Sequence, residues 1–457
     1  MIPKVNVDSP RRDSFTSNIG VIAAAAGSAI GLGNIWRFPY VLGENGGGAF
    51  LFIYLAFVLG IGIPVMLSEF TIGRRAQRNP VGSFKKLAPK RPWFLIGVMG
   101  VIAAFMILSF YAAVAGWTLE YIYQSVTNSF AGKTPDQLGE MFEDFRMGSW
   151  RPVIWFLVFM LFTAAIVISG VQKGIEKYSK ILMPILLIIL IILGIRAVTL
   201  PGAGAGLSFL FKPDFSKITA GTILEALGQA FFSLSIGMGT LITYGSYIQS
   251  RDNLANTAIS VSLADTFIAV LAGIAIFPAV FAFGIDPAAE EGLVFITLPN
   301  IFQQMAGGYF FSLLFFILLA VAALTSTISV LEVVVAYFSE ELNLSRKKAT
   351  IIAALSISLL GILASASWGW FDKVTISGRN FFGLLNFTSA NILLPVGGFF
   401  IVIFVGWFLG KNQVRDEISN KGTLKARILG VFMFLVRFIA PIAIALVFLN
   451  GIGIIKF

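Results

Sequence analysis

The sequence contains neither cysteine nor histidine among its 457 residues. Disulfide bonds, thiolate chemistry and sites in which histidine binds zinc or haem are therefore excluded. Without an imidazole, the chain also lacks the side chain that most often serves as a general base or as a switch near neutral pH. Any movement of protons by this protein would fall to its carboxylates.

Charged residues are also scarce, at 12% of the chain, whereas apolar residues make up 57%. Soluble proteins contain about 25% charged and about 45–50% apolar residues. The excess lies in uninterrupted runs, and a membrane-spanning helix needs roughly 20 such residues. The strands of a membrane barrel would instead be segments of about ten residues with alternating polarity. The composition predicts an all-α polytopic membrane protein.

Eleven apolar segments follow one another along the chain. They lie at about residues 16–42, 46–72, 93–126, 152–170, 176–199, 221–248, 255–284, 308–339, 349–366, 379–409 and 426–449. Most Lys and Arg residues fall in the connections on the side of the N-terminus, which the positive-inside bias assigns to the cytoplasm. We therefore expect eleven transmembrane helices, a cytoplasmic N-terminus, an outside C-terminus and no cleaved signal peptide.

The first and sixth segments are interrupted by glycine and polar residues. Segment 1 carries Gly27, Gly31 and Gly33, followed by Asn34 and Arg37. Each glycine weakens a helix by roughly 1 kcal/mol relative to alanine. Segment 6 contains the run Ser-Leu-Ser-Ile-Gly-Met-Gly over residues 233–239. Backbone released from a helix inside a membrane must be satisfied by protein or by a water-filled cavity.

The spacing of the two interruptions predicts an internal repeat within one transporter domain, 1–457. Segments 1–5, about 16–199, and segments 6–10, about 221–409, would form two halves, with an extra helix at about 426–449. An odd number of spans inverts the second half. Interrupted helices at equivalent positions indicate a transport site between them. For either segment alone, close packing through small residues is the alternative.

The residues around both interruptions resemble the signature of the neurotransmitter:sodium symporter family. Segment 1 reads Gly-Leu-Gly-Asn-Ile-Trp-Arg-Phe-Pro-Tyr over 31–40, and segment 6 reads Gly-Gln-Ala-Phe-Phe-Ser-Leu-Ser over 228–235. The similarity is greatest to bacterial carriers of hydrophobic amino acids. It implies a LeuT-like fold and sodium-coupled symport of an amino acid by alternating access across the bacterial cytoplasmic membrane. Because the basic residues are distributed over the cytoplasmic connections, no nucleic-acid partner is expected, and no obligate protein partner is evident.

The resemblance implies a substrate site among segments 1, 3, 6 and 8. Backbone amides at 31–33 and the Tyr111 hydroxyl would bind the substrate carboxylate, because the N-terminus of a half-helix favours an anion. Gly31 leaves room for that carboxylate, and the deformable Met238 suggests large hydrophobic or aromatic substrates. The full predicted set is Ala29, Gly31, Leu32, Gly33, Ile107, Tyr111, Phe232, Ser233, Ser235, Met238, Ser326 and Val330.

Two sodium sites follow from the same resemblance. The first would consist of Ala29, Asn34, Ser233, Asp265 and the substrate carboxylate. The second would consist of the carbonyls of Gly27, Ile30 and Ala322 with the hydroxyls of Thr325 and Ser326. A carboxylate shared between substrate and ion would couple the binding of the two.

Asp265 departs from the family pattern, because many relatives have Asn at this position. A fixed carboxylate there, with Glu69 close by, would supply the negative charge that chloride brings to other members, so we expect chloride-independent transport. The alternative is that Asp265 only pairs with a neighbouring donor.

The family's gates are altered as well. The outer gate pairs an arginine, here Arg37, with an acid on segment 10, but this chain has Asn386 there. The gate would then be a hydrogen bond or use another acid such as Asp372. On the inside, Arg12 would pair with Glu340, near Tyr247.

Two features are left with open interpretations. The stretch from Gly174 to Pro184 would either unwind to admit water to the second sodium site or simply begin a helix. Glu332 lies within segment 8 and is a candidate for proton countertransport.

The rival function is a substrate-gated sensor or channel on the same scaffold. An enzyme is not expected, because no nucleophile with an activating base is evident.

Overall fold

The computed structural model describes residues 13–285 and 293–455. In these residues the regular structure is helical, and the β structure is limited to one isolated bridge between Ile376 and Arg379. The predicted all-α class is confirmed. Arg12 lies outside the described residues.

We number the helices in chain order. They are α1 Asn18–Ala29, α2 Gly33–Glu44, α3 Gly48–Ala76, α4 Pro80–Leu87, α5 Phe94–Val126, α6 Pro135–Met147, α7 Arg151–Val167, α8 Val171–Val198, α9 Ala203–Phe211, α10 Ala220–Ser233, α11 Thr240–Gly245, α12 Leu254–Ala282, α13 Leu298–Gln304, α14 Gly308–Glu341, α15 Arg346–Ser365, α16 Phe381–Ile418 and α17 Leu429–Gly451. Leu293–Thr297 forms a π-helical turn before α13, and Phe215–Lys217 forms a 3₁₀ turn before α10.

The chain is a multi-pass membrane protein. Within the described residues, eight helices are long and apolar enough to cross a membrane alone: α3, α5, α8, α12, α14, α15, α16 and α17. Two bent pairs, α1 with α2 and α6 with α7, bring the number of candidate spans to as many as ten. Each of the eleven predicted segments overlaps a helix, but the count of eleven spans and the repeat boundaries stay predictions.

The first and sixth segments are broken where glycine and polar residues interrupt them, as predicted. α1 ends at Ala29, and α2 continues after three residues at an angle of 51°. α10 and α11 are separated by a turn in which Ser235, Gly237 and Gly239 have φ values of 55°, 86° and 77°. A right-handed helix needs negative φ, about −63°, so this connection cannot continue either helix.

Helices α5 and α14 form the scaffold against which the broken pairs lie. α14 packs along α5 and also contacts α1 and α11. We call the end of the bundle where α1 begins the inner end, and the end where α2 finishes the outer end.

Helix α8 remains helical through the stretch that the sequence left open. It begins with a π-helical turn, Val171–Glu176, and continues as Lys177–Val198 with Pro184 inside it. The structure therefore has the wound form of this segment.

Candidate functional site

A small cavity of about 30 Å³ lies at the two helix breaks. Its walls come from α1, α2, α5, α14 and the turn between α10 and α11. The lining residues are Ser28, Ala29, Gly31, Gly33, Ile107, Leu108, Tyr111, Phe232, Ser235, Met238, Ser326 and Val330. Of the predicted substrate residues, only Leu32 and Ser233 do not line it. Ser28 and Leu108 were not predicted, although both adjoin motif residues.

Tyr111 and the start of α2 meet at one end of this cavity. The Leu32 backbone N–H donates to the Tyr111 hydroxyl over 2.9 Å. A Cβ atom at Gly31 would lie 2.6 Å from that hydroxyl oxygen and would also collide with Ser326 Oγ. The glycine is therefore required by close packing. The Gly31 and Leu32 amides donate to Asn34 Oδ1 and to the Tyr111 hydroxyl here, and an anion that binds at this helix start would take the place of these neutral acceptors.

Carbonyl groups face the same cavity from the end of α1. The Ser235 hydroxyl donates to the Ser28 carbonyl over 3.0 Å, which ties the break of segment 6 to that of segment 1. The Ser28 hydroxyl is buried and has no hydrogen-bond partner among the described residues. This end of the cavity therefore offers oxygen acceptors that suit a cationic group.

Asp265 is the centre of the predicted first sodium site. Its carboxylate accepts hydrogen bonds from Asn34 Nδ2 over 2.8 Å and from Ser233 Oγ over 2.8 Å. The Tyr54 hydroxyl, which the sequence did not indicate, lies 3.4 Å from the same carboxylate. These side chains are fully or almost fully buried, and Asp265 has no cationic side chain beside it among the described residues. A buried carboxylate surrounded only by neutral donors favours a bound cation.

The five oxygens of the predicted second sodium site converge between α1 and α14. Thr325 Oγ1 lies 3.0 Å from the Ala322 carbonyl and 3.4 Å from that of Ile30. Ser326 Oγ lies 3.5 Å from the carbonyls of Gly27 and Ile30.

The distances of 3.4 and 3.5 Å between oxygens of the two helices suit a cation of the size of Na⁺. Calcium, an ion of nearly the same radius, binds oxygens at about 2.3–2.6 Å, which places neighbouring oxygens of an octahedral shell roughly 3.3–3.7 Å apart. The described residues contain no cluster of three carboxylates or other strong metal ligands, so neutral oxygens dominate both candidate ion sites.

Glu69 lies at the break of segment 6. Its Oε1 accepts from the Gly237 backbone N–H over 2.7 Å, and its buried Oε2 has no partner among the described residues. Glu69 and Asp265 share no hydrogen-bond partner in the described structure. The Glu69 carboxylate therefore holds the turn between α10 and α11, and its predicted role as a charge beside Asp265 stays a prediction.

At the outer end, Arg37 bonds to a residue that was not predicted. Its Nη1 donates to Gln229 Oε1 over 3.0 Å, and the guanidinium lies 4.8 Å from the centre of the Phe232 ring. Gln229 is held in place because its Nε2 donates to the Gly33 carbonyl. Asn386 lines the same cavity of about 150 Å³ as Arg37 without bonding to it. The expected Arg37–Asn386 pair is thus not formed in this structure.

The other acid proposed for the outer gate does not reach Arg37 either. Asp372 accepts from the neighbouring Lys373 backbone N–H and lines neither of the cavities that Arg37 lines.

At the inner end, Glu332 forms a charged network. The fully buried carboxylate accepts two hydrogen bonds from Arg346, at 3.1 and 2.7 Å, and one from the Tyr247 hydroxyl at 2.7 Å. Arg346 also donates to the Val167 carbonyl. Glu332 thereby joins the end of α7, the start of α15 and the residues after α11, so a role in proton movement is not needed to account for its burial.

Glu340, the predicted partner of Arg12, lies nearby on α14. It accepts from the backbone and side-chain nitrogens of Asn79 at 2.9 and 3.1 Å. Since Arg12 is outside the described residues, the inner gate pair stays a prediction.

The chain before α1 is attached to two helices at the inner end. Phe15 packs edge-on against Tyr244 and Tyr247, with ring centres 5.6 and 5.9 Å apart. Thr16 donates through its backbone N–H and its hydroxyl to Glu176 of α8, at 2.8 and 2.5 Å. These contacts close the inner end around the start of α1.

Comparisons with known proteins agree with this arrangement. The family model described as the sodium:neurotransmitter symporter family matches residues 12–147 and 137–456. The uncharacterized sodium-dependent transporter YhdH of Bacillus subtilis is 42% identical over 443 residues, covering 97% of this chain and 98% of that protein. The sodium-dependent serotonin transporter of Drosophila melanogaster is 27% identical over 472 residues, covering 91% of this chain and 73% of that protein.

A solved structure is similar over nearly the whole chain. It is the crystal structure of MhsT in complex with L-phenylalanine, with a TM-score of 0.88 and 48% sequence identity. The similarity covers 96% of this chain and 100% of that chain.

Proposed function

The chain belongs to the sodium:neurotransmitter symporter family, and on that basis we propose that it carries hydrophobic or aromatic L-amino acids together with sodium ions. Membership makes it a sodium-dependent membrane transporter rather than an enzyme. The observation that carries the substrate proposal is the cavity at the two helix breaks, where backbone amides, neutral oxygens and an apolar wall meet.

The cavity chemistry supports an α-amino acid with an apolar side chain. Tyr111 and the start of α2 would bind the carboxylate, and the carbonyl groups around Ser28 would bind the ammonium group. The remaining wall is apolar, with Ile107, Leu108, Phe232, Met238 and Val330. No charged side chain lines the described cavity, so a charged substrate side chain would be left unpaired. The related MhsT was solved with L-phenylalanine.

Two sodium ions would bind beside the substrate. The first would lie among Asn34, Ser233 and Asp265 and would share the substrate carboxylate. The second would lie among the oxygens of α1 and α14 around Thr325. Because the shared carboxylate belongs to both the substrate site and the first ion site, each ligand would raise the affinity for the other by the same factor.

Transport would be independent of chloride. The Asp265 side chain lies among neutral donors, and its ionised carboxylate would balance the positive charge of the bound ions without an added anion. We further propose that the inner end faces the cytoplasm of a bacterial cell, in agreement with the distribution of Lys and Arg. The two halves, about 16–199 and 221–409, would move relative to each other about the fixed site.

The test is binding of radiolabelled L-phenylalanine and L-tryptophan to the purified protein in sodium or potassium buffer, each with and without chloride. We expect binding that requires sodium and that persists when gluconate replaces chloride. L-glutamate and L-lysine serve as competitors that should fail. Absence of sodium-dependent binding for every hydrophobic amino acid tried would overturn the substrate assignment, and a steep chloride requirement would overturn the role of Asp265.

A second measurement separates a carrier from a sensor or channel. Proteoliposomes with an inward sodium gradient should accumulate the amino acid above its outside concentration, and collapse of the gradient should release it. A channel would only equilibrate the amino acid, and a sensor would not move it.

A further inference from the structure

Arg37 has no carboxylate partner among residues 13–285 and 293–455. Within the described residues it forms no ion pair, and its guanidinium has a neutral amide acceptor, Gln229, and the face of the Phe232 ring. A guanidinium that is partly buried in an apolar protein is stabilised most by a carboxylate, which accepts its hydrogen bonds and balances its charge. A second position for this side chain, beside an acid, would therefore be favourable.

Glu225 is the acid that shares a cavity with Arg37. Both residues line a cavity of about 110 Å³ beside α10, α16 and α17. Glu225 lies four residues before Gln229 on α10, and residues at this spacing are neighbours on one helix face. Its side chain is exposed and has no hydrogen bond or ion pair with any described residue. The carboxylate is thus available at the rim of a space that Arg37 already reaches.

The other acids that the structure describes near the outer end do not meet these conditions. Arg37 lines two described cavities, and Glu225 is the only acid among the residues that line them. Asp372 and Glu44 line neither cavity. Asn386, at the family's acidic position, is neutral.

We propose that Glu225 is the counter-charge of Arg37, and that the guanidinium moves from Gln229, its acceptor in this structure, to Glu225 when the outer end closes fully. This movement requires a displacement of one helical turn, about 5.4 Å, which a flexible arginine side chain spans when α2 and α10 approach each other. The outer gate of this chain would then close on α10 rather than on α16. This inference rests on the proposed transport function, since it assigns a positioning residue to the same cycle.

The experiment uses the absence of native cysteine. Ala390 lines both cavities beside Arg37, so an Ala390→Cys substitution introduces a single thiol that reports on opening of the outer end. The rate of its alkylation by a membrane-impermeant maleimide is measured in proteoliposomes, in sodium and in potassium buffer, without amino acid. In this background Glu225→Gln should raise the rate about three- to fivefold, the range expected for a partly exposed ion pair.

The matched control is Asp214→Asn. Asp214 is also an outer acid, but it bonds to Ser216 and lines neither cavity, so its substitution should leave the alkylation rate unchanged. The Arg37→Gln background distinguishes an effect of Glu225 through Arg37 from a purely structural effect of Glu225. If Glu225 acts through Arg37, the Glu225→Gln substitution should add no further increase in that background.

A carboxylate at position 386, where the family has an acid, should restore the slow alkylation rate that Glu225→Gln removes. Asn386→Asp added to Glu225→Gln should return the alkylation rate to within about twofold of the parent, because Asn386 and Arg37 line one cavity. The proposal is overturned if Glu225→Gln behaves like Asp214→Asn, or if its effect persists in full with Arg37→Gln. Alkylation requires no substrate, so these outcomes differ from a failure of sodium-dependent amino-acid binding, which would instead overturn the proposed function.

Discussion

The inner and outer ends of the bundle are closed by different interactions. At the inner end, the fully buried Glu332 forms an ion pair with Arg346, whose side chain is 25% exposed. Tyr247 bonds to the same carboxylate, and Phe15 packs against two tyrosines. At the outer end, Arg37 makes one hydrogen bond to a neutral amide, and a cavity of about 150 Å³ remains beside it.

This difference indicates which end of the bundle opens more easily from this structure. Opening the inner end would separate Phe15 from its two tyrosines and Tyr247 from the charged Glu332 carboxylate, whereas opening the outer end would break the neutral hydrogen bond between Arg37 and Gln229. A neutral hydrogen bond contributes about 0.5–1.5 kcal/mol, whereas a hydrogen bond to a charged group contributes about 1.5–3 kcal/mol and each aromatic pair about 0.5–1.5 kcal/mol. The structure therefore represents a state in which the inner end is held shut and the outer end is lightly held.

The largest expected effect comes from breaking the inner ion pair with Glu332→Gln. Arg346 would keep its charge without a carboxylate, which we expect to destabilise the closed inner end by about 3 kcal/mol. A Ser179→Cys substitution provides the reporter, because Ser179 is buried on α8 and faces Gly27 of α1. Alkylation of that thiol should become about a hundredfold faster.

The control for this prediction is Glu341→Gln. Glu341 lies on the same helix end and pairs with Lys85, whose side chain is 53% exposed, and exposed pairs contribute about 0–1 kcal/mol. Equal rates for the two variants would show that the Glu332 network does not hold the inner end.

The second largest effect concerns the oxygens that join α1 to α14. Thr325→Val removes the hydroxyl beside the carbonyls of Ile30 and Ala322 with little change in volume. We expect the sodium concentration for half-maximal amino-acid binding to rise about ten- to thirtyfold, since a lost polar partner costs about 1–3 kcal/mol.

Thr327→Val is the matched control for Thr325→Val, because Thr327 lies on the same helix and bonds to Thr163 instead. Its sodium dependence should stay within about threefold of the parent. Equal sodium dependence in the two variants would remove Thr325 from the second ion site.

A smaller effect is expected from the aromatic contact before α1. Phe15→Ala removes two edge-on aromatic pairs, each of which contributes about 0.5–1.5 kcal/mol beyond burial. The Ser179→Cys thiol should be alkylated about three- to tenfold faster. Phe15→Leu, which retains apolar volume, should give less than half of the change in log rate. If both variants match the parent, Phe15 does not take part in closure.

The sequence predicted best those features of the structure that are determined by residues close together in the chain. The breaks at Gly31 to Gly33 and at Ser235 to Gly239 could be recognised, because glycine and polar residues stand out within an apolar run. The positive φ values of the second break are also local properties. Most lining residues followed from those breaks and from the family resemblance.

The closures at the two ends could not be predicted in the same way. The Glu332–Arg346 pair depends on how α14 turns back into α15, and the Arg37–Gln229 bond depends on how α2 meets α10. Asn386 was predicted from its position on segment 10. Gln229 bonds to Arg37 instead, because the Gly33 carbonyl accepts from the Gln229 side-chain amide and orients it towards Arg37. Contacts between separate helices carry no local pattern, so they emerge only from the packed structure.

The smallest expected effect tests the family's own outer position. Asn386→Ala leaves the Arg37–Gln229 bond intact, since Asn386 only lines the cavity. With Ala390→Cys as the reporter, the alkylation rate should change by less than about twofold, whereas Gln229→Leu, which removes the acceptor of Arg37, should raise it about threefold or more. The reverse order would mean that Asn386 bonds to Arg37 in the closed state. Closure of the outer end would then depend on α16, as in the family pattern. The two ends would both be closed by a bond between helices, and they would differ only in that the inner bond is an ion pair and the outer bond has a neutral acceptor.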